Sequence, residues 1–168
     1  MAIIILRLGH RIIRDKRITT HVSLVSRAFG ADKIVLSGEK DQQIINTINK
    51  VKENWGGKFE IEYKKNWKSV IQEYKKKDFS IIHLSMYGER IQDKIKKIQK
   101  NKNILVVVGG EKVPSEIYKE ANFNIAVTNQ PHSEVAALAI FLDKYLNGNE
   151  LFLEHKGAKT VIIPSKSG

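Results

Sequence analysis

The 168-residue sequence contains no cysteine, which excludes disulfide bonds, thiol catalysis and zinc sites built from cysteine ligands. It has three prolines, and no stretch rich in proline, glycine or serine divides the chain. Hydrophobic residues make up 42% of the sequence, enough for a chain of this length to bury a core. We therefore expect a single domain over residues 1–168.

Long hydrophobic runs are also missing. The longest apolar run, residues 135–142, is far shorter than the roughly 20 residues that span a bilayer. Residues 2–6 are apolar, but Arg7 ends them and no basic segment precedes them, so we do not expect a signal peptide. These features favour a cytoplasmic protein.

Acidic residues are scarce relative to basic ones. The 29 lysines and arginines outnumber 18 acids and give a net charge of +11, which favours a polyanionic partner such as nucleic acid. Lysines on exposed helix faces offer an alternative, because they can serve only to solvate the surface. The arginines concentrate in the first 27 residues, where Asp15 is the only acid. They are Arg7, Arg11, Arg14, Arg17 and Arg27.

Apolar runs alternate with helical patterns along the chain. This alternation predicts an α/β fold with a mainly parallel sheet and helices on both faces. The predicted strands are residues 2–8, 33–36, 59–63, 80–84, 104–108, 124–127 and 160–163. The predicted helices are residues 21–29, 41–55, 66–77, one after Gly88, one from Pro114 to about 120, and one from Pro131 to 146.

Two strand-to-helix loops predict a ligand site. Residues 104–114 and 126–134 each form an apolar strand that breaks into a small or polar turn, the place where open α/β sheets bind ligands. We expect the two strand ends to be neighbours that surround one small molecule, with Gly109 and Gly110 admitting a close backbone approach. No Walker motif and no Gly-x-Gly-x-x-Gly follows the first strand, which disfavours nucleotide hydrolases and dehydrogenases. Two turns without any ligand remain the alternative.

A third segment, residues 14–21, combines guanidinium groups, hydroxyls and an imidazole. We expect it at a strand-to-helix junction, with Thr19 and Thr20 as N-cap residues of the first helix. Arginine suits a phosphodiester because its planar group binds two oxygens at once. An ordinary helix cap with flanking surface charges is the alternative. The other histidines show no metal-ligand spacing with carboxylates, so no metal site is predicted.

Taken in order, several blocks of the chain resemble the archaeal tRNA (cytidine-56)-2'-O-methyltransferase family of the SPOUT superfamily. The blocks are residues 6–22, 27–31, 83–88, 108–114 and 129–139, which include Gly-Gly-Glu-Lys-Val-Pro and Asn-Gln-Pro-His-Ser-Glu. The resemblance implies S-adenosylmethionine as cofactor, the T-loop of tRNA as substrate, and a homodimer. It further implies a C-terminal trefoil knot within about residues 80–146, followed by a tail over 147–168.

The same resemblance implies two sets of site residues. The implied catalytic residues are Arg14, Arg17, Thr20 and His21, facing the cofactor pocket of the other subunit. The implied cofactor-binding residues are Leu84, Gly109, Gly110, Glu111, Lys112, Val113, Val127, Thr128, Asn129, Gln130, Pro131, His132, Ser133 and Glu134. Two other functions remain open at this point: a catalytically silent RNA-binding protein with the same body, or an α/β protein that acts on a small anionic nucleotide.

Overall fold

The computed structural model describes residues 1–110 and 113–167, and within them one parallel sheet organises the chain. Its six strands are β1 (Ala2–His10), β2 (Lys33–Gly38), β3 (Glu60–Tyr63), β4 (Ser80–Arg90), β5 (Asn103–Val108) and β6 (Phe123–Ala126). They lie in the order β3-β2-β1-β5-β4-β6, and every neighbouring pair is parallel. The predicted α/β class with a mainly parallel sheet is confirmed.

Helices cover both faces of this sheet. They are α1 (Ile12–Ala28), α2 (Gln42–Trp55), α3 (Trp67–Lys76), α4 (Ile91–Ile98), α5 (Glu116–Glu120) and α6 (Glu134–Leu146), followed by a 3-10 turn (Asn149–Phe152). One buried cluster joins the sheet to α1, α2, α4 and α6, and a second joins its other face to α3 and α5. Both faces are therefore buried, as expected for a parallel sheet.

Strand β1 shows why the sequence specifies this layering. Ile3 and Ile5 belong to the cluster on one face, whereas Ile4 and Leu6 belong to the cluster on the other. Successive side chains of a strand point to opposite faces, so an uninterrupted apolar run requires cover on both sides. Full burial of each such side chain stabilises the fold by about 1.5–3 kcal/mol.

The first helix begins earlier than predicted. It starts at Ile12 behind Arg11, so Thr19 and Thr20 lie inside it and the prediction that they cap a helix starting at residue 21 was wrong. The Thr20 hydroxyl donates to the Lys16 carbonyl at 2.8 Å. Threonine favours helix starts because its hydroxyl competes for backbone groups, but inside a helix that hydroxyl bonds the preceding turn instead.

The two proline-marked helices begin later than predicted. Helix α6 starts at Glu134, where the Ser133 hydroxyl accepts from the Val135 amide at 3.2 Å, so Pro131 lies in the loop before it. Helix α5 likewise starts at Glu116, two residues beyond Pro114. In both loops the proline precedes the helix and does not open its first turn.

The predicted strand at residues 160–163 is absent. Val161, Ile162 and Ile163 are 77%, 69% and 87% exposed and pair with no strand of the described chain. The tail before them is held at the end of α2, since the amides of Lys159 and Thr160 both donate to the Asn54 carbonyl. β-branched residues favour strands only where a partner strand is available, so this prediction was wrong.

Candidate active site

A cleft of about 600 Å³ opens at the carboxyl edge of the sheet. All strands of a parallel sheet end on one edge, so loops that are distant in sequence converge there. The walls come from the end of β4, the end of β5, the approach to α5, and the start of α6. The lining residues are His83, Leu84, Ser85, Met86, Tyr87, Val108, Gly109, Gly110, Val113, Tyr118, Pro131, His132, Glu134 and Ala137.

Both predicted ligand loops contribute to this one cleft. Their strands are not neighbours, however, because β4 lies between β5 and β6, so that part of the prediction was wrong. Seven of the predicted cofactor residues line the cleft, namely Leu84, Gly109, Gly110, Val113, Pro131, His132 and Glu134. Val127, Thr128, Asn129, Gln130 and Ser133 are not among the lining residues, and Glu111 and Lys112 fall outside the described residues.

Asn129 contributes to the cleft without lining it. Its side-chain amide donates to the carbonyls of Met86 and Gly88 at 2.7 and 3.3 Å. The bonds tie the loop before α6 to the end of β4, so two walls of the cleft are held at a fixed distance. Ser133 acts in a similar supporting way as the cap of α6.

Gly109 allows a close approach between the two sides of its loop. A Cβ atom placed on Gly109 would lie 2.3 Å from Cγ2 of Val113, far inside contact distance. A Cβ atom on Gly110 would lie 3.7 Å from Oε1 of Glu134, which is ordinary contact. Close packing therefore explains the glycine at position 109, and at position 110 the glycine leaves the backbone accessible to the cleft.

A polar network in the wall of the cleft was not predicted. His83 Nδ1 lies 2.9 Å from Asn124 Oδ1, and the Asn124 amide donates to the Tyr118 carbonyl at 2.9 Å. The Tyr118 hydroxyl lies 2.7 Å from Ser85 Oγ, and the His83 and Tyr118 rings meet edge to face. Because the amide must offer its oxygen to His83, Nδ1 carries the proton, and burial lowers the pKa of His83 and keeps it neutral. The available signal was polar residues at alternate positions 83 and 85 of an apolar strand.

The predicted catalytic residues all lie on α1. Arg14, Arg17 and His21 are exposed, and Thr20 is half-buried. Helix α1 begins directly after β1 ends at His10, so its first turns are at the same edge of the sheet as the cleft. The segment is thus the first half of a helix and not the loop before one, which corrects the sequence prediction.

Comparison with known proteins identifies the family of this chain. The family model described as tRNA ribose 2'-O-methyltransferase, aTrm56, matches residues 55–168. The tRNA (cytidine(56)-2'-O)-methyltransferase of Methanosphaera stadtmanae is 53% identical over 97% of this chain and 94% of its own length. The enzyme of the same description from Nitrosopumilus maritimus is 50% identical over 100% of this chain and 94% of its own length. The chain belongs to this family.

Solved structures show the same fold at much lower identity. The crystal structure of an RNA 2'-O ribose methyltransferase matches with a TM-score of 0.67 at 15% identity, over 88% of this chain and 57% of that one. The SpoU methyltransferase AviRb from Streptomyces viridochromogenes, in complex with AdoMet, matches with a TM-score of 0.65 at 8% identity, over 89% of this chain and 58% of that one. These matches establish the SPOUT-type α/β architecture.

In this member of the aTrm56 family, three of the five N-terminal arginines serve the fold. Arg27 is buried and donates to the carbonyls of Trp55 and Gly56, both at 2.8 Å, where α2 ends. Arg7 is also buried, and Arg11 pairs with Asp15 at 2.9 Å and thereby lowers the pKa of that carboxyl. The concentration of arginines in the first 27 residues therefore overstates the charge that is available to a polyanion.

The described residues of this aTrm56 family member contain neither a cluster suited to a metal ion nor a helix able to cross a membrane. No three side chains among histidine, cysteine, aspartate and glutamate gather in a way that suits a metal ion there. Within the same residues, every helix is too short or too polar to cross a membrane.

Proposed function

We propose that the protein transfers a methyl group from S-adenosylmethionine to the 2'-hydroxyl of cytidine 56 in tRNA, with the donor in the cleft and the tRNA on helix α1. The observation that carries the proposal is one cleft lined by β4, the end of β5 and the start of α6. The candidate catalytic residues lie on α1, which begins directly after β1 at the same edge of the sheet. Family membership supports the reaction, since the relatives at about 50% identity carry this activity in their names. The +11 charge supports the polyanionic substrate.

The cleft fits S-adenosylmethionine in size and lining. Its volume of about 600 Å³ lies within the range of roughly 300–1,000 Å³ found for small-molecule sites. Leu84, Val108 and Val113 offer an apolar wall for the adenine ring, and the exposed backbone at Gly110 offers polar contacts. When bound, the cofactor supplies an electrophilic methyl group on a positively charged sulfur.

The residues of the chain must prepare the weak nucleophile. A ribose hydroxyl reacts when developing negative charge on its oxygen is stabilised. Arg17 or Arg14 binds the phosphate beside the target ribose and polarises the 2'-hydroxyl, and Thr20 or His21 orients it. The polarised hydroxyl would lose its proton to solvent or a nearby base as its oxygen accepts the methyl group that the cofactor would supply.

The active protein is proposed to be a homodimer in which α1 of one subunit faces the cleft of the other. Exposed apolar side chains on α1 and α6 support this arrangement, because exposed apolar surface favours association. They are Ile12 at 41% and Ile13 at 97% on α1, and Ile140 at 44% on α6. The proposal further includes one domain over residues 1–168, a trefoil knot within 80–146, and a cytoplasmic location.

The deciding experiment maps the methylated nucleotide. Purified protein is incubated with S-adenosylmethionine carrying a labelled methyl group and an unmodified tRNA transcript, and the product is digested and analysed by mass spectrometry. We expect one label on the ribose of cytidine 56. A transcript with 2'-deoxycytidine at that position is the matched control, and it should bind but accept no label.

Three results would contradict the proposal in different ways. Label on the 2'-deoxy transcript would indicate base methylation. Binding of tRNA without any binding of S-adenosylmethionine in calorimetry would indicate the silent RNA-binding alternative. Weak tRNA binding that hardly changes with salt would favour a small anionic nucleotide as substrate, because several phosphate contacts make affinity fall steeply as salt rises.

A further inference from the structure

Arg7 is a buried arginine whose two partners belong to different parts of the site. Its side chain is 1% exposed, and Nη1 lies 2.9 Å from Oε2 of Glu134, the first residue of α6, which lines the cleft. Its Nε donates to the hydroxyl of Thr19 at 3.2 Å, in the middle of α1. Burying a guanidinium is costly unless it is paired, so both contacts are strongly favoured.

The donor and acceptor roles of the Thr19 hydroxyl are fixed by its two partners, Arg7 and His10. A guanidinium can only donate, so the Thr19 oxygen accepts from Arg7 and its hydrogen is left for His10 Nδ1 at 2.9 Å. The proton of a neutral His10 is then on Nε2, which lies 3.5 Å from Asp41 Oδ2. Asp41 in turn caps α2 through its other oxygen. Thr19 is therefore held from both sides.

The geometry connects the cleft with the helix that carries the candidate catalytic arginines. Glu134 is on the cleft side of Arg7, and Thr19 is on the α1 side, two positions after Arg17. Helix α1 is continuous from Ile12 to Ala28, so a displacement at Thr19 moves the turns before it. If either contact moved alone, a buried charge or hydroxyl would lose its partner, at a cost of about 1–3 kcal/mol for a neutral group and more for a charged one.

We propose that Arg7 is a positioning residue that joins the cofactor cleft to helix α1 through Glu134 and Thr19. A cofactor in the cleft fixes Glu134, and Arg7 and Thr19 then hold α1 where Arg14 and Arg17 bind tRNA. Binding of the two ligands is thereby coupled. The inference rests on the proposed function for the identity of the ligands.

The test measures the coupling directly. The dissociation constant of an unmodified tRNA transcript is determined with and without S-adenosylhomocysteine, which occupies the cleft without reacting. In the wild-type protein we expect S-adenosylhomocysteine to tighten tRNA binding at least about fivefold, the lower end of typical coupling between sites. Thr19→Val removes the hydroxyl and keeps the shape, and should reduce the factor to about one while the affinity for S-adenosylhomocysteine alone stays within about twofold.

Three further variants separate positioning from plain stability. Thr19→Ser keeps the hydroxyl and should restore the coupling. Arg7→Lys keeps the charge but has a single nitrogen that cannot serve both partners, so it should reduce the coupling as Thr19→Val does. Ser26→Ala removes another buried hydroxyl of α1, one that donates only to the Val22 carbonyl at 2.7 Å, and should leave the coupling intact.

The inference is overturned if wild-type protein shows no coupling, or if Thr19→Val and Arg7→Lys both couple as the wild type does. It is also overturned if Ser26→Ala loses coupling together with Thr19→Val, since loss of any buried hydroxyl would then suffice. Failure of the proposed function is seen separately, as wild-type protein that places no methyl group on cytidine 56.

Discussion

Two regions of this molecule are rich in basic residues, but they differ in how much of that charge is neutralised. On the surface formed by β2, β3, α3 and α5, which we call the lysine face, five lysines are paired with glutamates. The pairs are Lys33 with Glu60, Lys64 with Glu73, Lys68 with Glu116, Lys75 with Glu120, and Lys77 with Glu73, at 2.5–2.8 Å. The positive charge of this surface is therefore largely compensated.

The first half of α1 differs from the lysine face at Arg17. Its one acid, Asp15, is bound by Arg11, and within residues 1–110 and 113–167 Arg17 forms no ion pair. The comparison teaches that a net charge of +11 does not locate the RNA-binding surface. Charge that remains after the internal pairs are counted is the better guide, and Arg17 on α1 carries such charge in support of the proposed tRNA site.

The largest expected effect is that of Arg17→Ala, which removes the guanidinium group of α1 that has no ion pair among the described residues. Methyl transfer to tRNA should fall by about 10²–10³-fold, the loss typical when a group that stabilises developing negative charge is removed. Affinity for S-adenosylmethionine should be nearly unchanged, because Arg17 is not among the residues that line the cleft. Single-turnover methylation and calorimetry measure the two quantities.

Lys75→Ala on the lysine face is the matched control for this prediction. Its ammonium group already pairs with Glu120 at 2.5 Å, so its loss should change methyl transfer by less than about twofold. Equal losses in the two variants would refute the contrast between the regions. Equal loss of methyl transfer and of cofactor affinity in Arg17→Ala would refute the separate roles of α1 and the cleft.

A smaller effect is expected from Gly109→Ala, which alters the cleft and leaves both basic regions untouched. The new Cβ would meet Val113 Cγ2 at 2.3 Å, and overpacking of this kind costs about 1–3 kcal/mol. If the loop shifts to relieve the contact, affinity for S-adenosylmethionine should fall about tenfold, or about 1.4 kcal/mol. Calorimetry provides the measurement.

The second substitution in this test is a rescue. Adding Val113→Ala removes the methyl group that clashes but also part of the apolar wall, so the double variant should recover part of the lost cofactor affinity. The tRNA affinity of all three proteins, measured without cofactor, should be the same. Unchanged cofactor affinity in Gly109→Ala would show that this loop does not form the binding surface.

Acid should destabilise the protein through its buried histidines. Burial lowers the pKa of His10 and His83 from the ordinary 6.5, although Asp41 partly offsets this for His10. The unfolded chain then binds protons that the folded protein does not, so stability is full above pH 6.5 and is lost as the pH falls below it. The slope is about 1.4 kcal/mol per pH unit for each histidine that stays neutral.

Urea unfolding at several pH values between about 5 and 8 measures this slope. His83→Asn should flatten it, whereas substitution of His21, which is exposed on α1, should leave it unchanged. A steeper or equal slope in His83→Asn would contradict the assignment. The comparison thereby extends from arginines and lysines to the buried histidines, whose pKa is lowered by burial.

The sequence predicted the sheet and the cleft well because both follow from local patterns. Buried parallel strands are continuous apolar runs, and the loops after them converge on one edge whatever the order of the strands. Gly109 and Glu134 could therefore be assigned to one cleft without knowing that β4 lies between their strands. The family resemblance supplied the identities of the ligands.

The errors arose where partners distant in sequence decide the outcome. Threonine is a common helix-cap residue, but the Thr19 hydroxyl forms hydrogen bonds with Arg7 and His10 instead. No rule based on neighbouring residues predicts that contact. Arg7 was noted only as one of the clustered N-terminal arginines, and its ion pair with Glu134, more than 100 positions away, could not be predicted from a local pattern. Val161 is apolar and β-branched, but the described chain offers it no neighbouring strand.

The smallest expected effect concerns Glu73, which pairs with both Lys64 and Lys77 on the lysine face. These two ammonium groups lower the pKa of Glu73 to about 2, so the stabilisation that it contributes is full above pH 4.5 and is lost as the pH falls from there to about 2. At neutral pH, Glu73→Gln should release Lys77, leave Lys64 with only Glu62 at 3.5 Å, and raise the affinity for non-specific RNA by about twofold. The same substitution at Glu53, an exposed residue of α2, is the control and should have less effect. Filter binding at two salt concentrations measures both variants, and because compensation by glutamate is what distinguishes the lysine face from α1, no gain in Glu73→Gln beyond that in Glu53→Gln would refute the distinction.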